Sequence, residues 1–158
     1  MAWTTDIVMV VRGLINDMDS PYDYSDTRLK QLICIAGVLL IQEASFTTSY
    51  TIDLSEFTIT PDPSSDADFV ALVSLKTACM ILNGEHKNAA NSSLSVKDGP
   101  AFIDSTSKAK QLGELAKSIC EAYNKAKFSY LAGDGSVGRI IIGPYNAGNS
   151  SDSGRNFG

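Results

Sequence analysis

A chain of 158 residues with 44% hydrophobic side chains can build one domain with a real core and still carry an appended segment. A formal net charge of -5 argues against a groove for phosphate backbones, which needs clustered Lys and Arg, but leaves room for a partner with basic patches. Cys34, Cys79 and Cys120 lie far apart, each inside an apolar pattern and without a CxxC pair. They read as buried free thiols of a reducing compartment, and a secreted disulfide scaffold is not expected.

The N-terminus shows no basic region leading into a long apolar run, so no signal peptide is expected. The first helix is predicted over Thr4 to Asp17, with Thr4 or Thr5 as its cap and Ile7, Val8, Val11, Leu14 and Ile15 at helical spacing. The stretch DMDSPYDYSD, residues 17–26, follows as a turn-rich acidic loop. A second helix is predicted from Ser25 or Asp26 to about Ser45. Its apolar run, Leu32 to Ile41, is too short to span a membrane and marks it as the central, all-round buried helix.

Ser49 to Thr60 is strand material. Tyr50, Ile52 and Leu54 alternate on one parity and Phe57 and Ile59 on the other, so a bulge or tight turn is expected at Ser55-Glu56. Pro61 and Pro63 stop the strand, and Asp66 is placed to cap a third helix running to about Lys87. NGEHKNAANSS then reads as a polar helix end and loop. SVKDGPAFIDSTSKAK, residues 95–110, reads as a turn at Asp98-Gly99-Pro100, an apolar approach through Phe102 and Ile103, and a cap at Asp104 to Thr106. The fourth helix, Thr106 to about Leu131, has the cleanest pattern: Ala109, Leu112, Ala116, Ile119, Tyr123, Ala126 and Tyr130.

From Gly133 the chain is rich in Gly, Ser and Asn and cannot bury enough apolar surface to fold alone. The division expected is a helical domain, residues 1–132, and a C-terminal arm, residues 133–158. Within the arm RIIIGPY, Arg139 to Tyr145, is a β-prone island suited to adding to a sheet edge of another chain. The fold class expected is mainly α: a four-helix bundle-like domain with a short extended or β-hairpin segment and an extended C-terminal tail.

Little in the chain carries chemistry. His86 is the only histidine, and spacing supplies it with no partners, so it reads as a solvated residue at a helix end. Asp17, Asp19, Asp23 and Asp26 cluster, but Pro21 interrupts them and neither the central Gly nor the closing Glu of a calcium loop follows. GDGSVG, residues 133–138, has a helix before it and RIII after it, the reverse of a phosphate-binding loop. No catalytic, metal or cofactor site is assigned, and no enzyme is expected.

The order of these elements, with FVALVSLKTACMIL opening the third helix and SVKDGPAFIDSTSKAKQLGELAKSICEAYNKAK leading into and through the fourth, resembles the head–tail connector (adaptor) proteins of tailed bacteriophages over roughly residues 4 to 131. The resemblance implies a structural virion protein of the phage neck, assembled in the host cytoplasm. It implies a homo-oligomeric ring, commonly a dodecamer, that binds the portal protein, presents a platform to the next neck or tail protein and continues the channel for DNA. No sequence-specific DNA contact, membrane or cofactor is implied. Interface residues expected in such a ring are Tyr50, Ile52 and Phe57 in the first extended segment and Asp98, Phe102 and Ile103 in the second. Ile140, Ile141, Ile142 and Tyr145 in the arm are expected to anchor to another chain from the β-prone character of the island, which the resemblance does not cover. A tail terminator or completion protein of the same neck is the alternative, with more β-structure expected. A small helical ligand-binding module or enzyme using His86 and the acidic loop is the third reading.

Overall fold

The computed structural model describes residues 2–94 and 101–133. Four helices, α1 (Trp3–Ile15), α2 (Asp26–Glu43), α3 (Ala67–Leu94) and α4 (Ala101–Leu131), are joined by a hairpin, β1 (Thr51–Asp53) with β2 (Thr58–Thr60), and by a single 3-10 turn, Pro63–Ser65. The mainly helical class with a hairpin is as expected. The arm beyond its first residue, Gly133, and the Asp98 turn lie outside the described residues.

α1 begins one residue earlier than the threonines suggest. Neither Thr4 nor Thr5 caps it. Ala2 occupies the cap position without a side-chain bond, and Asp62 Oδ2, far along the chain, accepts the Trp3 amide at 3.3 Å. The helix ends at Asn16, whose φ of 59° places it in the left-handed region that terminates many helices. α2 starts as expected, with Ser25 Oγ accepting the Arg28 amide at 3.2 Å.

α2 is not the central helix. Leu29, Ile33, Ala36, Gly37 and Leu40 are buried, but Ile35 and Leu39 face solvent. That role belongs to α3, where Phe69 and every residue from Ala71 to Ala78 are buried. α1, α2 and α4 all pack on it. By length and composition Ala67–Ser92 is apolar enough to cross a membrane, but most of it is buried within the bundle, as in a core helix. A run of apolar residues cannot by itself tell which of two such helices is surrounded; the polar residues that tolerate burial in α3, Thr77 (donating to Val73 O at 2.7 Å) and Lys76, disguise its centrality.

The parity change across Ser55-Glu56 is a hairpin turn. β1 and β2 pair antiparallel with Ile52 opposite Ile59, so both lie on one face. Asp53 Oδ1 accepts the Ser55 amide at 2.7 Å and the Glu56 amide at 3.3 Å, and Phe57 completes the reversal at φ 51°. Ile59 is buried, while Ile52 Cδ1 reaches 2.7 Å from where a Cβ on Gly37 would stand; the glycine lets the hairpin sit close on α2. Asp66 caps α3 as expected, accepting the Phe69 amide at 3.0 Å, and its second oxygen accepts the Tyr50 hydroxyl at 2.8 Å.

α3 continues to Leu94, through the polar stretch expected to be its end and loop. Its outward positions there are polar and exposed, while Glu85, His86, Ala89 and Ala90 are half-buried. α4 begins at Ala101, so Phe102 and Ile103 belong to the helix and Asp104 to Thr106 are not its cap. The two helices run antiparallel: Lys76 meets Tyr123, Cys79 meets Cys120 and His86 meets Ala109. The expected seam of α4 faces inward, with Ala109, Ala116, Tyr123 and Ala126 buried.

That pairing corrects the cysteine reading. Cys79 and Cys120 form a disulfide between α3 and α4, with Cα atoms 4.9 Å apart, and Cys34 alone is a buried free thiol whose pKa burial pushes up to about 11. The support that free thiols lent to a reducing compartment is removed. Under denaturing, non-reducing conditions we expect alkylation of Cys34 alone, read by mass spectrometry. Replacing both Cys79 and Cys120 with Ala should lower unfolding stability by about 2–4 kcal/mol in urea titrations.

Candidate functional site

Two polar clusters, each built around a buried cation, Arg12 and Lys76, link the helices. In the first, Arg12 and Asp17 are paired at 2.6 Å with side chains only 5% and 6% exposed. The second Arg12 nitrogen, Nη2, donates to Asp26 Oδ1 at 2.6 Å and to the Tyr24 carbonyl at 2.8 Å, and the Tyr22 ring covers the guanidinium at 3.9 Å. Asp17 also accepts the Asp23 and Tyr24 amides at 2.8 and 3.2 Å. The acidic loop is therefore the wrapping around one cation. A buried guanidinium is costly unless its donors find acceptors, and the loop supplies three of them.

In the second cluster, Glu43 accepts from Lys76, from Tyr123 Oη at 2.6 Å and from Lys127 at 2.9 Å. Burial raises the Glu43 pKa, but the hydrogen bonds from Lys76, Tyr123 and Lys127 outweigh it and hold the carboxyl at about 2. The same contact, after burial itself, pushes the Tyr123 phenol well above its ordinary range. Tyr24 donates to Glu85 and is raised likewise. The Tyr24–Glu85 contact stands between two shallow grooves of about 490 Å³ and 340 Å³. A third groove, about 480 Å³, runs between the C-terminal ends of α2 and α4.

His86 is not a solvated helix-end residue. It sits within α3, half-buried, with Nδ1 3.0 Å from the Ala109 carbonyl and its ring against Gly113, where a Cβ would come within 2.8 Å of Cε1. It faces α4, while the acidic loop faces Arg12; the two are not brought together as a site. No group of three or more His, Cys, Asp or Glu side chains suited to a metal is found among the described residues.

Of the residues expected at an interface, Tyr50, Ile52 and Phe57 pack against the core of the chain itself. Tyr50 lies against Phe46 and Phe69, and burial with the Asp66 contact pushes its phenol to about 12. The hairpin's outward apolar residue is Leu54. Phe102 and Ile103 lie in the first turn of α4, with side chains outside the described set; Asp98, Ile140, Ile141, Ile142 and Tyr145 are outside it altogether.

Sequence reasoning missed Arg12, Glu43 and Phe128. An arginine on the apolar stripe of α1, followed by four aspartates, was a usable signal for the first cluster. Phe128 lies off the apolar seam of α4 and is 74% exposed, the most open large apolar side chain among those described.

Replacing Glu43 with Gln should cost about 1–2 kcal/mol at neutral pH, since a third of its side chain remains in water. The contribution comes from a depressed pKa, so it is fully present above the usual value of 4.5 and is lost as pH falls toward about 2. Urea titrations of both proteins should show their difference shrinking across that window and constant above it. Comparison of the chain with family models, with curated proteins and with solved structures finds no match.

Proposed function

We propose that the chain is a structural ring protein of a phage neck, an adaptor between the portal and the next neck or tail protein. The resemblance of residues 4 to 131 to head–tail connectors supports this reading, and the observation that carries it furthest is the architecture: four helices with strand confined, among the described residues, to one short hairpin. A tail terminator is expected to be richer in β-structure. The enzyme reading loses its proposed site, because Arg12 occupies the acidic loop and the Ala109 carbonyl and Gly113 occupy the imidazole of His86. The arm, with Ile140, Ile141, Ile142 and Tyr145, is the proposed anchor on another chain. The overall acidity suits a conduit along which DNA slides, since like charge repels phosphate.

Electron microscopy of particles carrying a density label on this chain should place the label at the head–tail junction; a label elsewhere, or particles without it, would overturn the reading. Removing residues 134–158 should leave thermal unfolding of the helical domain in place while head–tail joining fails. Normal joining by the truncated chain would sink the anchoring role.

A further inference from the structure

Charge is divided unevenly along the chain. Residues 2–68 hold Arg12, Arg28 and Lys30 against eleven carboxylates, whereas residues 69–133 hold eight lysines against five. The imbalance is visible on two solvent-facing surfaces. On α4, Lys110, Glu114, Lys117, Glu121, Lys125 and Phe128 follow one another three or four residues apart, and all are exposed. This is a stripe of lysines and glutamates ending at an uncovered aromatic ring. A protruding phenylalanine can serve as an apolar anchor, with the charged side chains around it as a solvent-accessible rim.

The second surface is the outer side of α1 and the loop after it. Thr5, Met9, Gly13 and Asn16 are exposed at helical spacing, and Met18, Asp19, Tyr22 and Asp23 follow, also exposed. Met9 and Met18 are 54% and 51% open to solvent. The one cation here, Arg12, is buried and already neutralised. Nothing lies within 4 Å of where a Gly13 Cβ would stand, so the glycine serves no packing inside the subunit. In an exposed helix it costs about 1 kcal/mol relative to Ala. Among the described residues the carboxylates of Asp19 and Asp23 have no hydrogen-bond or ion-pair partner, whereas Asp17 and Asp26 hold Arg12.

We infer that these two surfaces are the two halves of one contact between copies of this chain: the Phe128 end of α4 in one copy sits on the Met9–Gly13 face of α1 in the next. Lys125, beside Phe128, meets Asp19 and Asp23, while Lys117 is already paired with Glu121 at 3.8 Å. Sulfur and ring make a favourable pair, and a residue without a Cβ leaves room for the ring to approach. The two halves differ and both stay open within one subunit, so the contact is head-to-tail, the type that closes into a ring when its rotation allows. This deepens the ring reading by naming the surfaces used, and it can be tested apart from any particle.

The test uses the full chain in sedimentation velocity at concentrations up to about 100 µM. Wild-type protein should self-associate in about 50 mM salt and weaken on the order of tenfold in about 500 mM salt. Phe128→Asp and Gly13→Arg should each weaken association at least about tenfold, with circular dichroism and thermal unfolding showing that both fold. Mixed together, the two variants should recover a one-to-one heterodimer that grows no further, since each keeps the half the other has lost. A monomeric wild type, variants that associate normally, or a mixture that fails to pair would each overturn the proposal. If the mixture pairs but the labelled chain is absent from the phage neck, the contact stands and the neck assignment falls.

Discussion

From Ala71 to Ala78 no side of α3 is open to water, and that requirement shapes everything packed on it. A helix buried all round needs partners on every face. α1 and α2 cover part of it and each other, the hairpin closes over α2 at Gly37, and α4 lies along its remaining length. The aromatic residues Phe46, Tyr50, Phe69 and Tyr130 fill the junction where the hairpin, α3 and α4 converge, with ring centroids 4.2 to 6.2 Å apart. The apolar core is continuous from Trp3 on α1 to Ala126 on α4.

The two polar clusters hold the ends of one helix. Asp26 is the first residue of α2 and Glu43 the last. A carboxylate at the N-terminal end agrees with the helix dipole, and Arg12 strengthens that placement. A carboxylate at the C-terminal end opposes the dipole, and two lysines from other helices offset it there. α2 is thus fixed in rotation and in axial position by charges supplied from α1, α3 and α4.

The helical class, the cap at Ser25, the cap at Asp66 and the buried seam of α4 were legible because each rests on neighbours in sequence. The parity break at Ser55-Glu56 was legible for the same reason. What escaped depended on distant residues. Asp62 holds the first amide of α1, and no local pattern points to it. The polar stretch after Leu82 stayed helical because His86 lies against α4 and Glu85 accepts from Tyr24, facts of tertiary pairing. Two cysteines in apolar helical patterns look alike whether or not the helices align them. The acidic loop was visible as a cluster, but its purpose was not, since the arginine it wraps, Arg12, lies on another element.

The Cys79–Cys120 bond has a mechanical consequence. Tension applied between the chain before Cys79 and the chain after Cys120 passes through the sulfur bridge, so residues 80 to 119 carry none of it. The far halves of α3 and α4, and the connection between them, form a closed loop outside the line of force. A pull on the arm would reach Glu43 through Lys127 and Tyr123 and the core through Tyr130, leaving the distal end of the α3–α4 pair at rest.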